Sequence, residues 1–263
     1  MDLSLKGKHA LVCGSTQGIG KAIAEELAVM GATVILMARN AEKLLQVAAA
    51  LPSPHGQEHR YITADFSLPE TVKVAVEEFL SVFGRPVHIL INNTGGPPSG
   101  PITEAPIASF EAAFHAHLVN NHILATTLLP GMRESGYGRI INIISTSVKA
   151  PLQNLGVSNT IRGAVANWAK TWANEVAPYG ITVNNILPGA TETERLSTIV
   201  KNKAGKSGTS EEEAAASMLK EIPMKRFGRP EEVAQAAAFL ASPSSGYITG
   251  INLPVDGGRT PNL

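Results

Sequence analysis

A glycine-rich segment near the start of the chain has the composition of a phosphate-binding turn. Glycine lets the backbone turn sharply and approach a pyrophosphate, and a helix that starts there would add free N–H groups and the positive end of its dipole. The glycine spacing is Gly-x-x-x-Gly-x-Gly, which differs from the commoner dinucleotide pattern, so a plain tight turn stays open as an alternative. The segment consists of Gly14, Ser15, Thr16, Gln17, Gly18, Ile19 and Gly20.

The flanking sequence supplies the elements that such a turn needs. The apolar run from His9 to Cys13 predicts a buried strand before the glycines. Apolar residues then recur at helical spacing from Lys21 to Met30, which predicts a helix directly after them. A strand, a glycine turn and a helix in this order are the parts of a nucleotide-binding site.

The end of the next predicted strand, Thr33 to Ala38, bears on which nucleotide would bind. A site selective for NAD usually carries Asp or Glu about 20 residues after the glycines, where it binds the ribose 2′-hydroxyl. This chain has Ala38 at that position, followed by Arg39. Because a guanidinium can hold a phosphate through two N–H groups, we expect Arg39 to bind the 2′-phosphate of NADP(H). An exposed charge at the end of a strand is the alternative interpretation of Arg39.

Strand-like and helix-like segments continue to alternate along the chain. Further strands are predicted at His59–Ala64, Val87–Ile91, Arg139–Ile144, Thr182–Leu187 and Ile251–Val255. Further helices are predicted from Glu42 to Leu51, from a capping box at Ser67–Glu70 to about Phe83, from Thr103 to about Leu129, from Val157 to Val176, from Glu211 to Lys220 and from Pro230 to Leu240. The alternation predicts an α/β fold, a Rossmann-like doubly wound sheet of seven parallel strands with helices on both faces. Ligands bind at the carboxyl ends of the strands in such sheets.

One Rossmann domain over residues 1–263 accounts for all of these segments. Residues 189–220 stand apart because they are polar and follow directly after a predicted strand. Only Glu211 to Lys220 shows a short helical pattern within them. A segment of this length at the carboxyl edge of a sheet is more typical of a substrate lid than of a linker.

Composition limits the classes of function. The chain has 22 Lys and Arg against 22 Asp and Glu, so nothing in its net charge favours nucleic acid or anionic lipid as a partner. No long apolar run resembles a signal peptide or a membrane span, which predicts a cytoplasmic protein. The single cysteine, Cys13, is expected in the core. His115, His117 and His122 share a predicted helix but not one side of it, so we expect no metal site.

Further motifs extend this pattern over nearly the whole chain, which resembles the short-chain dehydrogenase/reductase family, and within it the 3-oxoacyl-acyl-carrier-protein reductases. Besides the glycine turn, the matching stretches are Asp65, Asn92–Gly95, Gly138–Ile143, Pro188–Gly189, Arg226–Ala234 and Asp256–Gly258. The resemblance implies that Asp65 faces the adenine of the cofactor and that Asn93 and Gly95 face a ribose. It also implies that Pro188, Gly189, Thr191 and Thr193 border the nicotinamide.

The catalytic positions of the family are mostly changed in this chain. The resemblance implies a serine that binds the carbonyl oxygen, a tyrosine that donates the proton, a lysine four residues later and an asparagine that supports a water relay. Ser145 falls on the serine position. Ser158 stands in place of the tyrosine, Arg162 in place of the lysine and His117 in place of the asparagine. An aliphatic hydroxyl is a far weaker acid than a phenol, and an arginine stays protonated near neutrality, so the usual proton donor is missing.

Two hypotheses remain from the sequence. The first is an NADP(H)-dependent carbonyl or alcohol oxidoreductase for a small-molecule or acyl-thioester substrate. In it Ser145 polarises the carbonyl, Ser158 and Arg162 position substrate or cofactor, and water, His117 or Lys149 supplies the proton. The second is an NADP-binding protein with little or no catalysis that acts as a sensor or a partner subunit. The resemblance also implies a homo-oligomer, a tetramer or dimer, in which the helix that carries Trp168 and Trp172 pairs between protomers. These two residues could lie in the core or in that subunit contact, and we expect a mixture of both.

Overall fold

Seven strands form one parallel sheet in the computed structural model, which describes residues 1–261. The strands are β1 (His9–Cys13), β2 (Thr33–Ala38), β3 (Arg60–Thr63), β4 (Ile89–Asn92), β5 (Gly138–Ile143), β6 (Ile181–Pro188) and β7 (Asn252–Val255). Their spatial order is β3-β2-β1-β4-β5-β6-β7, and each neighbouring pair is parallel. The winding direction reverses between β1 and β4, which opens a crevice at their carboxyl ends.

Helices cover both faces of this sheet. They are α1 (Gly18–Val29), α2 (Ala41–Ala50), α3 (Pro69–Phe83), α4 (Ile107–Phe114), α5 (Asn120–Glu134), α6 (Gly156–Val176), α7 (Glu194–Ser207), α8 (Glu211–Lys220) and α9 (Pro230–Ala241). One π-helical turn, His115–Val119, joins α4 to α5. None of these helices is both long enough and apolar enough to cross a membrane within the part of the chain that the structure describes.

The pleat of each central strand divides the core into two layers. In β1, Ala10 and Val12 pack in the cluster that contains α1, α2 and α9. Leu11 and Cys13 pack in the opposite cluster, which contains α3, α5 and α6. Burial raises the pKa of the Cys13 thiol to about 12, so this residue is an inert part of the core. The predicted doubly wound sheet with helices on both faces is confirmed.

The predicted single helix from Thr103 to Leu129 is wrong in three respects. It is divided by the π-helical turn, and it begins later, at Ile107. It also does not end before Pro130, because α5 continues to Glu134. Pro130 is exposed, and because it has no N–H group the helix lacks one backbone hydrogen bond there. Leu128 and Met132 on either side are buried and hold the last turns of α5 against the sheet.

Two further helix predictions need correction. The capping box at Ser67–Glu70 does not form, since the Ser67 hydroxyl donates to Asp65 Oδ1 at 2.8 Å and α3 begins at Pro69 without a side-chain cap. Helix α7 was not predicted. Thr193 caps its first turn and Gly208 ends it in the left-handed conformation, and its apolar side packs with α8.

Candidate active site

The glycine turn is held in place by close backbone contacts that only glycine allows. A Cβ atom on Gly20 would lie 2.1 Å from the Gly14 carbonyl oxygen, and one on Gly14 would lie 2.5 Å from the Asn93 carbonyl oxygen. Gly14 also has a φ of 59°. The Asn93 amide donates to the carbonyls of Cys13 and Gly14, each at 3.2 Å. The turn after β1 and the turn after β4 are therefore one unit at the switch point of the sheet.

The N-terminus of α1 faces the cleft without a side-chain cap. Gln17 stands at the N-cap position and makes no capping hydrogen bond, and the first turn of α1 contains no acidic residue. Its free N–H groups and the positive end of the helix dipole are therefore open to an anion. Thr16 and Ile19 line the cleft beside them.

Ser15 does not line this cleft. It is fully buried, and its hydroxyl accepts a hydrogen bond from the Met37 backbone N–H at 3.1 Å. The side chain therefore ties the glycine turn to β2, and the predicted cofactor contact of Ser15 is left to its backbone.

Arg39 follows β2 at the rim of the cleft. It is exposed, and no carboxylate forms an ion pair with it among residues 1–261. Asp65 lies across from it at the end of β3, where hydrogen bonds from the Ser67 N–H and hydroxyl, and then the charge of Arg39, lower the pKa of its carboxyl group. Lys43 of α2 lines the same region, so this end of the cleft is basic.

The far wall of the cleft follows β6. A Cβ atom on Gly189 would lie 2.8 Å from the Asp256 Cα, so glycine permits the close passage of these two backbone segments. The Thr191 hydroxyl donates to the Gly189 carbonyl at 3.2 Å. Thr193 begins α7, and its methyl group would lie 3.2 Å from a Cβ on Gly18. The start of α7 therefore covers the glycine turn, and Glu194 accepts a hydrogen bond from Gln17 at 3.0 Å.

Ser145 lies directly beyond β5 and is half-buried at the centre of the cleft. Its hydroxyl oxygen accepts a hydrogen bond from the Ser147 N–H at 3.1 Å, because Ser145 caps the short 3₁₀ turn Thr146–Val148. The hydroxyl proton stays available for a ligand, so Ser145 can donate a hydrogen bond to a carbonyl oxygen.

Ser158 and Arg162 lie one turn apart on α6 and both line the cleft, as their spacing predicts. The Ser158 hydroxyl has no hydrogen-bond partner in the part of the chain that the structure describes. Arg162 is 8% exposed and donates to the Ile143 carbonyl at 2.6 Å. Burial, and then the charge of Arg195, lower the pKa of Arg162 to about 10, so it stays charged near neutral pH.

His117 lies in the π-helical turn, a feature frequent at functional sites. Its Nδ1 atom is 2.7 Å from the Thr94 hydroxyl, so the ring is held by a hydrogen bond to the turn after β4. Burial lowers the pKa of His117 to about 2, with smaller contributions from Arg162 and Arg195. The ring is therefore neutral at physiological pH and carries no acidic imidazolium proton.

Arg195 was missed by sequence reasoning. It lies in the first turn of α7 and donates to the carbonyls of Gly96 at 3.1 Å and Pro97 at 3.2 Å. A Cβ on Gly96 would lie 2.7 Å from the Arg195 Nη2 atom, so a larger residue here would displace the guanidinium from its present position. Thr193 as a helix cap was the available signal, since it would have placed Arg195 at the start of a helix over the cleft.

All of these groups border one cleft of about 2010 Å³. It brings together the predicted cofactor-binding and catalytic residues, with the exception of Ser15. They are Gly14, Thr16, Gly18, Ile19, Gly20, Arg39, Asp65, Asn93, Gly95, Ser145, Ser158, Arg162, Pro188, Gly189, Thr191 and Thr193.

Comparison with known proteins gives a consistent family assignment. The family described as Enoyl-(Acyl carrier protein) reductase matches residues 14–260. The 3-oxoacyl-acyl-carrier-protein reductase of Aquifex aeolicus is 32% identical, over 98% of this chain and 99% of its own length. An NADPH-dependent reductase of Bacillus subtilis is 33% identical, over 97% and 99%.

A solved structure agrees in fold over the full length. L-Sorbose reductase from Gluconobacter frateurii, crystallised with NADPH and L-sorbose, superposes with a TM-score of 0.92 at 34% identity and covers 100% of both chains. The family match and these full-length relatives mean that the chain belongs to the short-chain dehydrogenase/reductase family.

Proposed function

We propose that this protein is an NADP(H)-dependent oxidoreductase that interconverts a carbonyl and an alcohol. The observation that carries the proposal is the single cleft in which the uncapped N-terminus of α1 and Arg39 lie at one end and Ser145, Ser158 and Arg162 at the other. The first group suits a phosphorylated dinucleotide, and the second suits a polar reacting group.

The residues of the cleft fit NADP(H). The glycine turn and the free N–H groups of α1 would hold the pyrophosphate, and Arg39 would bind the 2′-phosphate. Asp65 would face the adenine, and Asn93 and Gly95 a ribose. Pro188, Gly189, Thr191 and Thr193 would border the nicotinamide, with Arg162 beside its ribose. The cofactor, when bound, supplies or accepts the hydride.

The chain's own part in the reaction is to bind the carbonyl and stabilise the charge that develops on its oxygen. Ser145 can donate a hydrogen bond to this oxygen, and the buried charge of Arg162 stabilises negative charge nearby. Ser158 can position the substrate but is too weak an acid to replace a phenol. Of the three proton sources considered, His117 is neutral and Lys149 is not among the residues that line the cleft, so we propose water.

The substrate class is proposed from the relatives. One of them acts on 3-oxoacyl groups of an acyl carrier protein, and a solved neighbour binds L-sorbose, a small hydroxyketone. We infer a small-molecule ketone or an acyl thioester for this cleft. Residues 189–220, which form α7 and α8 at its rim, are proposed as the substrate lid of a single domain over residues 1–263.

A second candidate function is NADP binding with little or no turnover, as a sensor or partner subunit. Two residues favour it. Ser158 stands where the family has its tyrosine, and Arg162 stands four residues later where the family has its lysine. Loss of proton transfer costs a factor of about 10²–10⁴ in rate, so catalysis would be slow rather than absent.

Turnover with saturating NADPH decides between the two functions. The panel contains neutral ketones, hydroxyketones, 2-oxo acids and 3-oxoacyl thioesters, and NADPH binding is measured by calorimetry in parallel. Reduction of any member above the background oxidation of NADPH supports the oxidoreductase. Tight NADPH binding without reduction of any member supports the sensor or partner.

We also propose that the protein is a cytoplasmic homo-oligomer, a tetramer or dimer. Trp168 and Trp172 of α6 are half-buried, with ring centroids 5.7 Å apart, and His122 of α5 packs edge-on against both. This aromatic patch suits a contact between α5 and α6 of two copies. Sedimentation velocity of the wild type and of Trp172→Lys tests it, since the variant is expected to dissociate into smaller species.

A further inference from the structure

The substrate end of the cleft holds two guanidinium groups without a carboxylate partner. Arg162 is 92% buried and forms one hydrogen bond, to the Ile143 carbonyl, so most of its N–H groups have no partner among residues 1–261. Arg195 forms two hydrogen bonds, both to neutral carbonyls. Neither arginine forms an ion pair within the described part of the chain. Arg195 is exposed, whereas the uncompensated charge of Arg162 is buried, which is costly and calls for an anion at this place.

The charges of the two guanidinium groups affect the same part of the cleft. His117, Arg162 and Arg195 all line this cleft, the charges of both arginines lower the pKa of His117, and the charge of Arg195 lowers the pKa of Arg162. His117 is neutral and adds no charge of its own. Within residues 1–261, no carboxylate contributes to the pKa shifts of His117, Arg162 or Arg195, so the positive charge of the two arginines is not offset there.

Of the six carboxylates that line the cleft, Glu192 and Glu231 form no ion pair with either arginine in the described part of the chain, and the other four are engaged elsewhere, Asp65 with Ser67. Glu25 pairs with Lys21 at 3.5 Å, Glu194 accepts from Gln17, and Glu221 pairs with Arg259 at 2.5 Å. If any carboxylate neutralised Arg162 or Arg195, it would raise the pKa of that arginine, whereas burial lowers both.

We propose that Arg162 and Arg195 bind an oxyanion of the substrate, a carboxylate or a phosphate group, in the part of the cleft that Ser145 also lines. The proposal rests on the function proposed above, since it concerns the substrate of that same cleft. A ribose hydroxyl of the cofactor can accept a hydrogen bond from Arg162, but it is neutral and leaves both charges uncompensated. A planar fork of N–H donors on each side suits the two oxygens of a carboxylate or the oxygens of a phosphate.

The placement of Arg195 links this site to the proposed lid. Arg195 lies in the first turn of α7, and its contacts with Gly96 and Pro97 join α7 to the turn after β4. An oxyanion bound between the two arginines would therefore hold the start of α7 over the cleft. Neutral substrates lack this link.

Binding to the NADP⁺-saturated protein is the first test, by calorimetry with oxalate and, separately, with inorganic phosphate. At least one of them is expected to bind, and Arg195→Met is expected to weaken it about 10–100-fold, the effect of losing charged hydrogen bonds. Arg259→Met is the matched control, because this arginine lines the same cleft but is already neutralised by Glu221. Arg195→Gln serves in place of Arg195→Met if the latter does not fold, judged by thermal melting.

Matched substrates identify which oxyanion is bound. A 2-oxo acid is compared with its methyl ester, and dihydroxyacetone phosphate with dihydroxyacetone, so that only the charge differs within each pair. Preference for the first member of one pair, about tenfold or more in kcat/KM and lost in Arg195→Met, identifies a carboxylate or a phosphate.

Several results would overturn the oxyanion site. They are no binding of either anion by the wild type, equal binding by wild type and Arg195→Met, and loss of binding when NADP⁺ is present, which would assign the arginines to the cofactor. Reduction of neutral ketones without anion binding refutes this site and leaves the oxidoreductase intact. Anion binding lost in Arg195→Met, without reduction of any substrate, supports this site and refutes the oxidoreductase.

Discussion

The Thr94 hydroxyl and His117 Nδ1 lie 2.7 Å apart, and this pair fixes a neutral imidazole beside two arginines. The π-helical turn moves His117 out of the regular helix and into the cleft. A buried ring with Arg162 and Arg195 nearby cannot take up a second proton at ordinary pH. His117 therefore acts as a positioning group through hydrogen bonds and does not supply charge.

This relationship predicts an acid sensitivity. The folded chain holds the pKa of His117 at about 2 against an ordinary value of 6.5, so only the unfolded chain takes up the proton as the pH falls below 6.5. Stability is therefore lost progressively from about pH 6.5 downwards. The free energy of unfolding falls between about pH 7.5 and pH 5.0, and in His117→Asn this decrease should be smaller by about 2 kcal/mol. Denaturant unfolding of both proteins at the two pH values measures it.

Other buried histidines provide the background of that experiment. Burial lowers the pKa of His9, of His59 and of His88, the last to about 4, and the same three residues are present in wild type and variant. Both proteins should therefore still lose stability in acid. Equal losses in the two proteins would mean that His117 is protonated in the folded state.

Arg39 is expected to set the cofactor preference. Arg39→Ala should raise the Kd for NADPH about 10–100-fold, because the 2′-phosphate loses charge-assisted hydrogen bonds, and should change the Kd for NADH little. Titration of nucleotide fluorescence gives both constants. Arg60→Ala is the control, since Arg60 is exposed but paired with Glu58 at 2.6 Å. Equal losses for the two nucleotides would mean that Arg39 does not bind the 2′-phosphate.

Restoring a phenol should restore proton delivery. In the double variant Ser158→Tyr with Arg162→Lys, a tyrosine proton with a pKa of about 10 would become available at the cleft, tuned by a lysine one turn later. We expect kcat for a neutral ketone to rise by about 10²–10⁴. The single variants should gain less, because each lacks one of the two groups. No gain in the double variant would mean that the shape of the cleft, not the acid, has diverged.

Much of the fold was predictable because the five strands β1, β2, β4, β5 and β6 are covered on both faces. The strands β1 and β2 begin and end where their apolar runs predict, since a doubly buried strand has little polar sequence within it. Strands β3 and β4 are shorter at their first residues than predicted, because pairing begins only where the neighbouring strand is in register.

Helix α7 shows where sequence patterns fail. Only Leu196, Val200 and Ala204, at intervals of four residues, mark its buried side, and the polar residues between them hide the pattern. Its apolar side packs against α8 rather than on the sheet, so it needs few buried residues. The position of Arg195 in the site was therefore also not predictable from local sequence. Arg195 contacts Gly96, which is 99 residues away along the chain.

Hydrogen bonds between buried polar side chains of neighbouring strands also could not be predicted from the local sequence pattern. Asn142 in β5 is fully buried, accepts a hydrogen bond from Asn92 at 2.8 Å and donates one to Asn185 at 2.8 Å. Asn185 in turn donates to Asn252 at 2.9 Å. This amide ladder crosses four strands just beneath the cleft, and each member depends on the strand register that aligns them.

Asn142→Leu should therefore destabilise the protein far more than its small change in volume suggests. It leaves the Asn92 donor and the Asn185 acceptor buried without partners, which should lower the free energy of unfolding by at least about 2 kcal/mol. Thr182→Val is the matched control in the neighbouring strand, because the buried Thr182 hydroxyl has no partner and its removal should be neutral or stabilising. Denaturant unfolding compares both variants with wild type. Equal stability of Asn142→Leu and wild type would mean that the ladder contributes nothing to the fold.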